Sequence, residues 1–237
     1  MADLDPISVD VPRGHWSAGQ FPHLVMMACL VPGAWAVAGP ALDGDAWLGL
    51  SERAWLWLAI LVPIVQQVGV VLVWRSQLQW QLPTRVLGRG AFVAWGAFFF
   101  PLLIARPLSI LGLGVADMGS LDVPAAVAVP IGALLFVPAA WTMHSVVKHF
   151  GFARALGGDH FFERYRAMPM VREGAFAWSS NAMYTFVFGA FWGLALVTQS
   201  RAALAAALFQ HAAIWVHWYC TEQPDGVVLY GRAQDEG

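Results

Sequence analysis

The chain has 237 residues, of which 59% are hydrophobic and only 12% charged, against about 25% charged in an ordinary soluble domain. That shortfall excludes a free-standing soluble fold and indicates an integral membrane protein. The net charge of −2 identifies no partner, and with no nucleic-acid signature in the chain no nucleic-acid partner is expected.

The opening residues, MADLDPISVD, are acidic, and the first apolar run begins only near Phe21, with no small-residue cleavage pattern before it. The first span is therefore expected to be retained and not removed as a signal peptide. Four conventional spans are predicted, over about 22–42, 54–74, 91–112 and 122–145, most of them drawn from charge-free runs near the ~20 residues that cross a bilayer. Arg106, just before Pro107, interrupts the third, and its stem can snorkel to an interface or line a pocket. A shorter helical hairpin, about 183–198 and 202–220, turns at Thr198-Gln199-Ser200-Arg201. Prolines 32, 63, 101, 130 and 138 fall inside spans, where neighbouring groups can satisfy the freed carbonyls. Cys29 and Cys220 lie far apart in apolar context and read as buried free thiols. The predicted fold is all-α: a polytopic transmembrane helical bundle of four spans plus a C-terminal helical hairpin. It forms one integral membrane domain over 1–237, ending in a polar tail from Arg232 to Gly237.

Charge asymmetry sets an orientation. The second loop holds Arg75, Arg85 and Arg89 without an acid, and the fourth holds Lys148, Arg154, Arg164, Arg166 and Arg172. The first loop is acidic (Asp43, Asp45, Glu52, against Arg53), and the third offers Asp117 and Asp122. The positive-inside rule puts the second and fourth loops and both termini in the cytoplasm. The hairpin then returns Glu222 to the side of His149 to Arg172, so one membrane face gathers the polar chemistry.

That chemistry is concentrated in a few places, each open to more than one reading. Gly151, Gly157 and Gly158 allow a ligand to lie along the backbone, or simply punctuate a membrane-exit loop. Asp159-His160 is a candidate proton acceptor, a solvated pair or a helix cap. Arg164, Arg166 and Arg172 can attract a phosphate or carboxylate, or serve topology alone. In SSNAMY, Asn181 and Tyr184 open the hairpin, and Ser179, Ser180 or Asn181 can cap it. Glu222, followed by Gln223 and Pro224, can bind ribose hydroxyls or a cation, or be a solvated helix end. His144, His149, His211 and His217 raise haem or metal ligation, but spacings of i,i+5 and i,i+6 do not align either pair on one helix face. No metal is expected.

In order, these boxes resemble the membrane-embedded methyltransferases, the group of phosphatidylethanolamine N-methyltransferases and isoprenylcysteine carboxyl methyltransferases, and are closer to the phospholipid branch. The carrying residues are Gly151-Phe152-Ala153, Gly158-Asp159-His160-Phe161, Asn181-Ala182-Met183-Tyr184 and Glu222-Gln223-Pro224, with Tyr230 beyond. Ala182 stands where that branch has Pro, and Gln223 where it has a second Glu.

The resemblance implies a cofactor-binding and catalytic core over 144–230, after N-terminal transmembrane helices over 1–143. It implies S-adenosylmethionine held by His149, Gly151, Phe152, Ala153, Gly157, Gly158, Asn181, Met183, Tyr184, Glu222 and Gln223. A membrane lipid acceptor entering from the bilayer would meet Arg164, Arg172, Trp178 and Tyr230. If the acceptor is an amine, His160, Asp159 and Glu222 are the candidate bases, in that order; if a carboxylate, an Arg such as Arg172 holds it. Three functions stay open: phospholipid amine methylation, methyl transfer to an isoprenylcysteine-like or small hydrophobic acceptor, and a non-catalytic haem-binding or transport protein. The first requires His160 and Glu222 to share one hollow at one face of the membrane.

Overall fold

The computed structural model describes residues 5–39, 42 and 46–231. Asp43 and Asp45 of the acidic first loop, and the tail from Arg232 to Gly237, lie outside the described residues. Among the described residues the chain is helical, with two isolated β-bridges and no β-strand.

Helix α1 (Gln20–Ala38) leaves the end of the bundle that holds residues 149–181, and α2 (Glu52–Trp80) returns to it. A short α3 (Leu82–Leu87) turns the chain into α4 (Ala91–Ala116), and α5 (Ala125–Ser145) comes back through a π-helical turn, Val146–Phe150. Among the described residues four helices are long and apolar enough to cross a membrane: His15–Ala38, Glu52–Trp80, Leu82–Ala116 and Ala125–Phe150. They match the four predicted spans but overrun their edges. With 29 residues, α2 is about 43 Å long at 1.5 Å per residue, longer than a ~30 Å hydrocarbon core. Arg75, which the sequence places in a loop, is therefore inside the helix and fully buried.

After α5 come α6 (Phe152–Ala155), a 3-10 turn over Gly158–His160 and α7 (Glu163–Arg166). The hairpin opens with a π-helical turn, Met183–Val187, followed by α8 (Gly189–Val197) and α9 (Arg201–His217); a third π-helical turn, Trp218–Glu222, leads into α10 (Gln223–Tyr230). The hairpin tip reaches the α4–α5 connection: Gly119 N donates to Thr198 O at 3.2 Å and Leu121 N to Gln199 O at 2.7 Å. It thus runs the full depth of the bundle. Ser200 caps α9, its Oγ accepting from Ala203 N at 2.9 Å. The Asp117 carboxylate accepts from Ser200 Oγ, Ala202 N and Ser120 Oγ at 2.6, 2.9 and 2.6 Å, satisfying amides that a helix start leaves orphaned.

Small residues let the helices close. Ala202, Ala203, Ala205, Ala206 and Ala207 of α9 are all buried in the main core. A Cβ on Gly132 would lie 2.9 Å from Gly193 O, and one on Gly193 2.7 Å from Gly132 O, so α5 and α8 touch backbone to backbone, as membrane helices with small interfacial residues do. The outer faces are apolar, with Phe21, Val93 and Leu134 all exposed, as a lipid solvent requires. Cys29 lies on such an outer face and is exposed, not buried as the sequence suggests; Cys220 is buried, and both are free thiols.

Arg106 does not snorkel. It is 4% exposed, donating from Nε to Gln210 Oε1 at 2.9 Å and from Nη1 to Gln66 Oε1 at 3.1 Å. Its partners are neutral side chains of α9 and α2, so a charge scan of the sequence does not find them.

Candidate functional site

The N-terminal arm, the segment after α5, the start of the hairpin and the segment after α9 meet at one end of the bundle. Ile7 N donates to Phe161 O at 3.2 Å and Glu163 N to Asp5 O at 3.1 Å, so the arm lies across the loop that follows α6. Gly157 has a φ of 76°, and a Cβ there would stand 2.3 Å from the Trp74 ring. Only glycine permits both the left-handed turn and this approach. Trp74 then packs on the His160 imidazole, ring centroids 4.1 Å apart. Trp95 fixes the same loop from α4, donating from Nε1 to Leu156 O at 2.9 Å.

Two acid clusters face one another. In the first, Asp225 is fully buried. Its Oδ1 accepts from Arg75 Nε at 3.1 Å and meets His15 Nε2 at 2.8 Å, while Oδ2 faces His160 Nε2 at 3.5 Å, an ion contact too long for a strong hydrogen bond. Arg75 also donates to Trp16 O and Ala18 O. His160 Nδ1 meets Asp159 Oδ1 at 2.9 Å, and Asp159 Oδ2 accepts from Tyr230 OH at 2.6 Å. Burial works against a charged His160, but Asp159 and then Asp225 outweigh it and raise the imidazole to about 9. Burial likewise opposes ionisation of both aspartates. His160 and the Tyr230 hydroxyl still lower Asp159, and the hydrogen bond from His15 with the nearby His160 and Arg75 charges holds Asp225 below the ordinary carboxylate range. At neutral pH the cluster is a charged, cross-linked unit.

The second cluster is sparse. Past the end of α9, Glu222 accepts from Tyr184 OH at 2.6 and 2.7 Å on its two oxygens. His217 Nε2 is 3.8 Å away, beyond hydrogen-bonding reach. Burial raises the Glu222 carboxyl to about 7, and the Tyr184 hydrogen bond only partly offsets it.

These groups border a cavity of about 380 Å³, within the range of small-molecule sites. Gly157, Asp159, His160, Arg172, Trp178, Asn181, Met183, Tyr184, Glu222 and Tyr230 line it, so His160 and Glu222 share one hollow. His149, Gly151, Ala153, Gly158, Arg164 and Gln223 are not in its wall. His149 pairs with Glu173 at 2.9 Å. A Cβ on Gly158 would meet Ala153 O at 2.7 Å, so these two pack on each other. Arg164 lies over the Tyr165 ring, and Gln223 begins α10. Phe152 lines a second, apolar cleft of about 170 Å³, which shares Trp74, Ala155, Met183, Tyr184 and Glu222 with the first and extends past Phe99 and Phe188 to Arg106.

The sequence offers no signal for several of the residues here. Trp74, Arg75 and His15 come from the N-terminal part, in which the sequence reads no chemistry. Asp225 follows a proline that suggests a helix end, yet the chain stays helical through Pro224, and Cys220 O, four residues before it, accepts instead from Arg75 Nη2 at 3.4 Å and Gln20 Nε2 at 3.5 Å. Arg154, counted for topology, is buried against the cavity and donates to Pro169 O at 2.9 Å. The π-helical turns at 146, 183 and 218, which swing His149, Tyr184 and Glu222 off the α-helical period, have no sequence signature.

Residues 127–233 match the family model described as phospholipid methyltransferase. This segment resembles the phospholipid methyltransferases. It holds nearly all of α5, the hairpin and the carboxylates of both clusters, but leaves out the N-terminal arm and α1 to α4, and with them His15, Trp74 and Arg75. A phosphatidylethanolamine N-methyltransferase of Arthroderma otae is 31% identical over 109 residues, 45% of this chain and 11% of that protein. One from Meyerozyma guilliermondii is 26% identical over 93 residues, 39% of this chain and 10% of that protein. One from Clavispora lusitaniae is 27% identical over 109 residues, 45% of this chain and 12% of that protein. The chain thus spans about a tenth of the length of these curated relatives. No solved structure matches it.

Proposed function

We propose that the protein transfers a methyl group from S-adenosylmethionine to the amine of a phosphoethanolamine-type membrane lipid, at the cytoplasmic end of the bundle. One observation carries this reading: a cavity bordered by His160, Asn181 and Glu222 joins, at Glu222 and Tyr184, an apolar cleft leading into the bundle. A polar donor from water and an acceptor whose tails stay in lipid need such a junction.

The residues present fit the donor. The stacked rings of Phe150 and Phe176, centroids 5.0 Å apart, offer a flat wall for a base. Asp159 and Glu222 suit ribose hydroxyls and a cationic centre, and Trp74 Nε1 is a buried donor without a protein partner. Bound there, S-adenosylmethionine would supply an electrophilic methyl group and a neutral thioether as leaving group.

The chain's own part is positioning, exclusion of water and handling of one proton. An ammonium acceptor must become a neutral amine before it attacks, and a general base works best with a pKa near the operating pH. Glu222, at about 7, meets that condition better than His160, already protonated at neutral pH. In this reading Glu222 takes the proton onto a carboxylate oxygen, Tyr184 holds that carboxylate in place, and charged His160 keeps Asp159 and Asp225 apart. This reading sets Glu222 ahead of His160, where the resemblance alone set His160 first.

The test is incubation of purified protein with labelled S-adenosylmethionine and total membrane lipid. Label on a phosphoethanolamine lipid is expected. Label only on a prenylated cysteine would overturn the amine acceptor, and failure to bind S-adenosylhomocysteine would overturn the donor. Accessibility of cysteines introduced near residues 10 and 170 checks the cytoplasmic orientation.

A further inference from the structure

We propose that Arg106 receives the phosphate of the acceptor lipid while Glu222 receives its amine, an assignment that rests on the methyl-transfer reading above. Arg106 lies on α4, outside the segment that matches the family model. It is 4% exposed, and its hydrogen-bonding partners are the neutral amides of Gln210 and Gln66. Its Nη2 has no partner, and among the described residues no carboxylate stands within ion-pair distance of it. The Phe188 and Phe191 rings, 5.0 and 5.9 Å from the guanidinium carbon, compensate a cation only weakly. An unpaired guanidinium inside a membrane bundle is costly, and intramembrane cations mark ligand paths.

The cleft that Arg106 lines supplies the rest of the argument. Its opposite end is Glu222, its walls are largely aromatic and aliphatic, and Gln66, whose buried Nε2 is also without a partner, is one of its lining residues. A cavity acidic at one end, basic at the other and greasy between suits a zwitterion that carries tails. The separation is also suitable. Gln210 precedes His217, Glu222's neighbour at 3.8 Å, by seven residues of α9, an axial rise of about 10 Å at 1.5 Å per residue. A carboxylate, a phosphoethanolamine and a guanidinium laid end to end cover that span. Guanidinium also matches the geometry of a phosphate better than any other side chain.

The test compares two probes with the same fluorescent tail, a phosphatidylethanolamine and a long-chain alkylamine without phosphate. Their binding to the detergent-purified full chain is measured with S-adenosylhomocysteine present. Wild-type protein should bind the phospholipid at least ~10-fold more tightly. Arg106→Gln should weaken phospholipid binding by at least ~30-fold, the order expected for truncating one partner of a buried charge pair, and leave the alkylamine unchanged. Arg106→Lys should recover part of the loss. Equal affinity of both probes for wild-type protein, or equal weakening of both by Arg106→Gln, would overturn the assignment. So would displacement of the phospholipid by inorganic phosphate at comparable concentration, which would make this a free-anion site. Binding that depends on Arg106 without any methyl transfer would sink the methylation reading alone. Methyl transfer with binding indifferent to Arg106 would sink only this one.

Discussion

Two carboxylates at opposite ends of the bundle invite comparison. Asp117 accepts from two hydroxyls and a backbone amide, and through them it closes the hairpin tip against the α4–α5 connection. Glu222, partly buried at the other end, has one tyrosine hydroxyl as its hydrogen-bonding partner. The same functional group is a staple in one place and, in the function proposed above, a proton acceptor in the other. The difference lies in the number of donors aimed at it: three converge on Asp117, whereas Glu222 has one, and burial with so little compensation raises its carboxyl to about 7.

The largest expected effect comes from Asp225, which ties His15 and Arg75 to the cavity end of the bundle. Asp225→Ala strips the carboxylate from fully buried Arg75 and should cost about 3–5 kcal/mol, read as a fall in the melting temperature of detergent-purified protein; an unchanged melt would mean that the backbone carbonyls alone hold Arg75. Next is Glu222→Gln, which keeps the shape and removes the base. Methyl transfer should fall at least ~100-fold while the melting temperature holds, and activity within threefold of wild type would remove Glu222 from the chemistry. Asp117→Ala should behave oppositely, losing roughly 2 kcal/mol of stability with the rate per folded molecule unchanged.

The pH dependence is a smaller and sharper probe. Glu222 must be ionised, which sets a rising limb near its pKa of about 7, and His160 must keep its proton, which sets a falling limb near about 9. The rate should therefore be bell-shaped between them, and Glu222→Gln should abolish the acid limb while sparing the alkaline one. Tyr184→Phe removes the hydrogen bond that stabilises the ionised carboxyl, so it should move the acid limb to higher pH without abolishing the reaction.

Most of the scaffold was legible because a bilayer writes itself into sequence as long charge-free runs. The chemistry-bearing segment was legible for the converse reason, being polar between such runs. What escaped notice were polar residues that resemble topology signals or carry no charge. Arg75 directly follows the run 54–74 and passes for a loop residue, yet α2 continues beyond the thickness of the lipid. Gln66 and Gln210 are invisible to a charge scan, and they are the partners that keep Arg106 inside. Glu222 and Tyr184 were singled out from their boxes, but their mutual bond depends on two π-helical turns that no spacing rule anticipates. The glycines divided: Gly157 is needed where Trp74 crosses, whereas Gly158 packs on its own loop.

The tie between His15 and Asp225 has a bearing on biogenesis. Its two ends are 210 positions apart, so during synthesis the arm near residue 15 cannot reach this carboxylate until the helices between them have been made. Contacts so distant in sequence form late and slowly. Arg75 waits in the same way, as a cation on an early helix whose carboxylate partner is made 150 positions later.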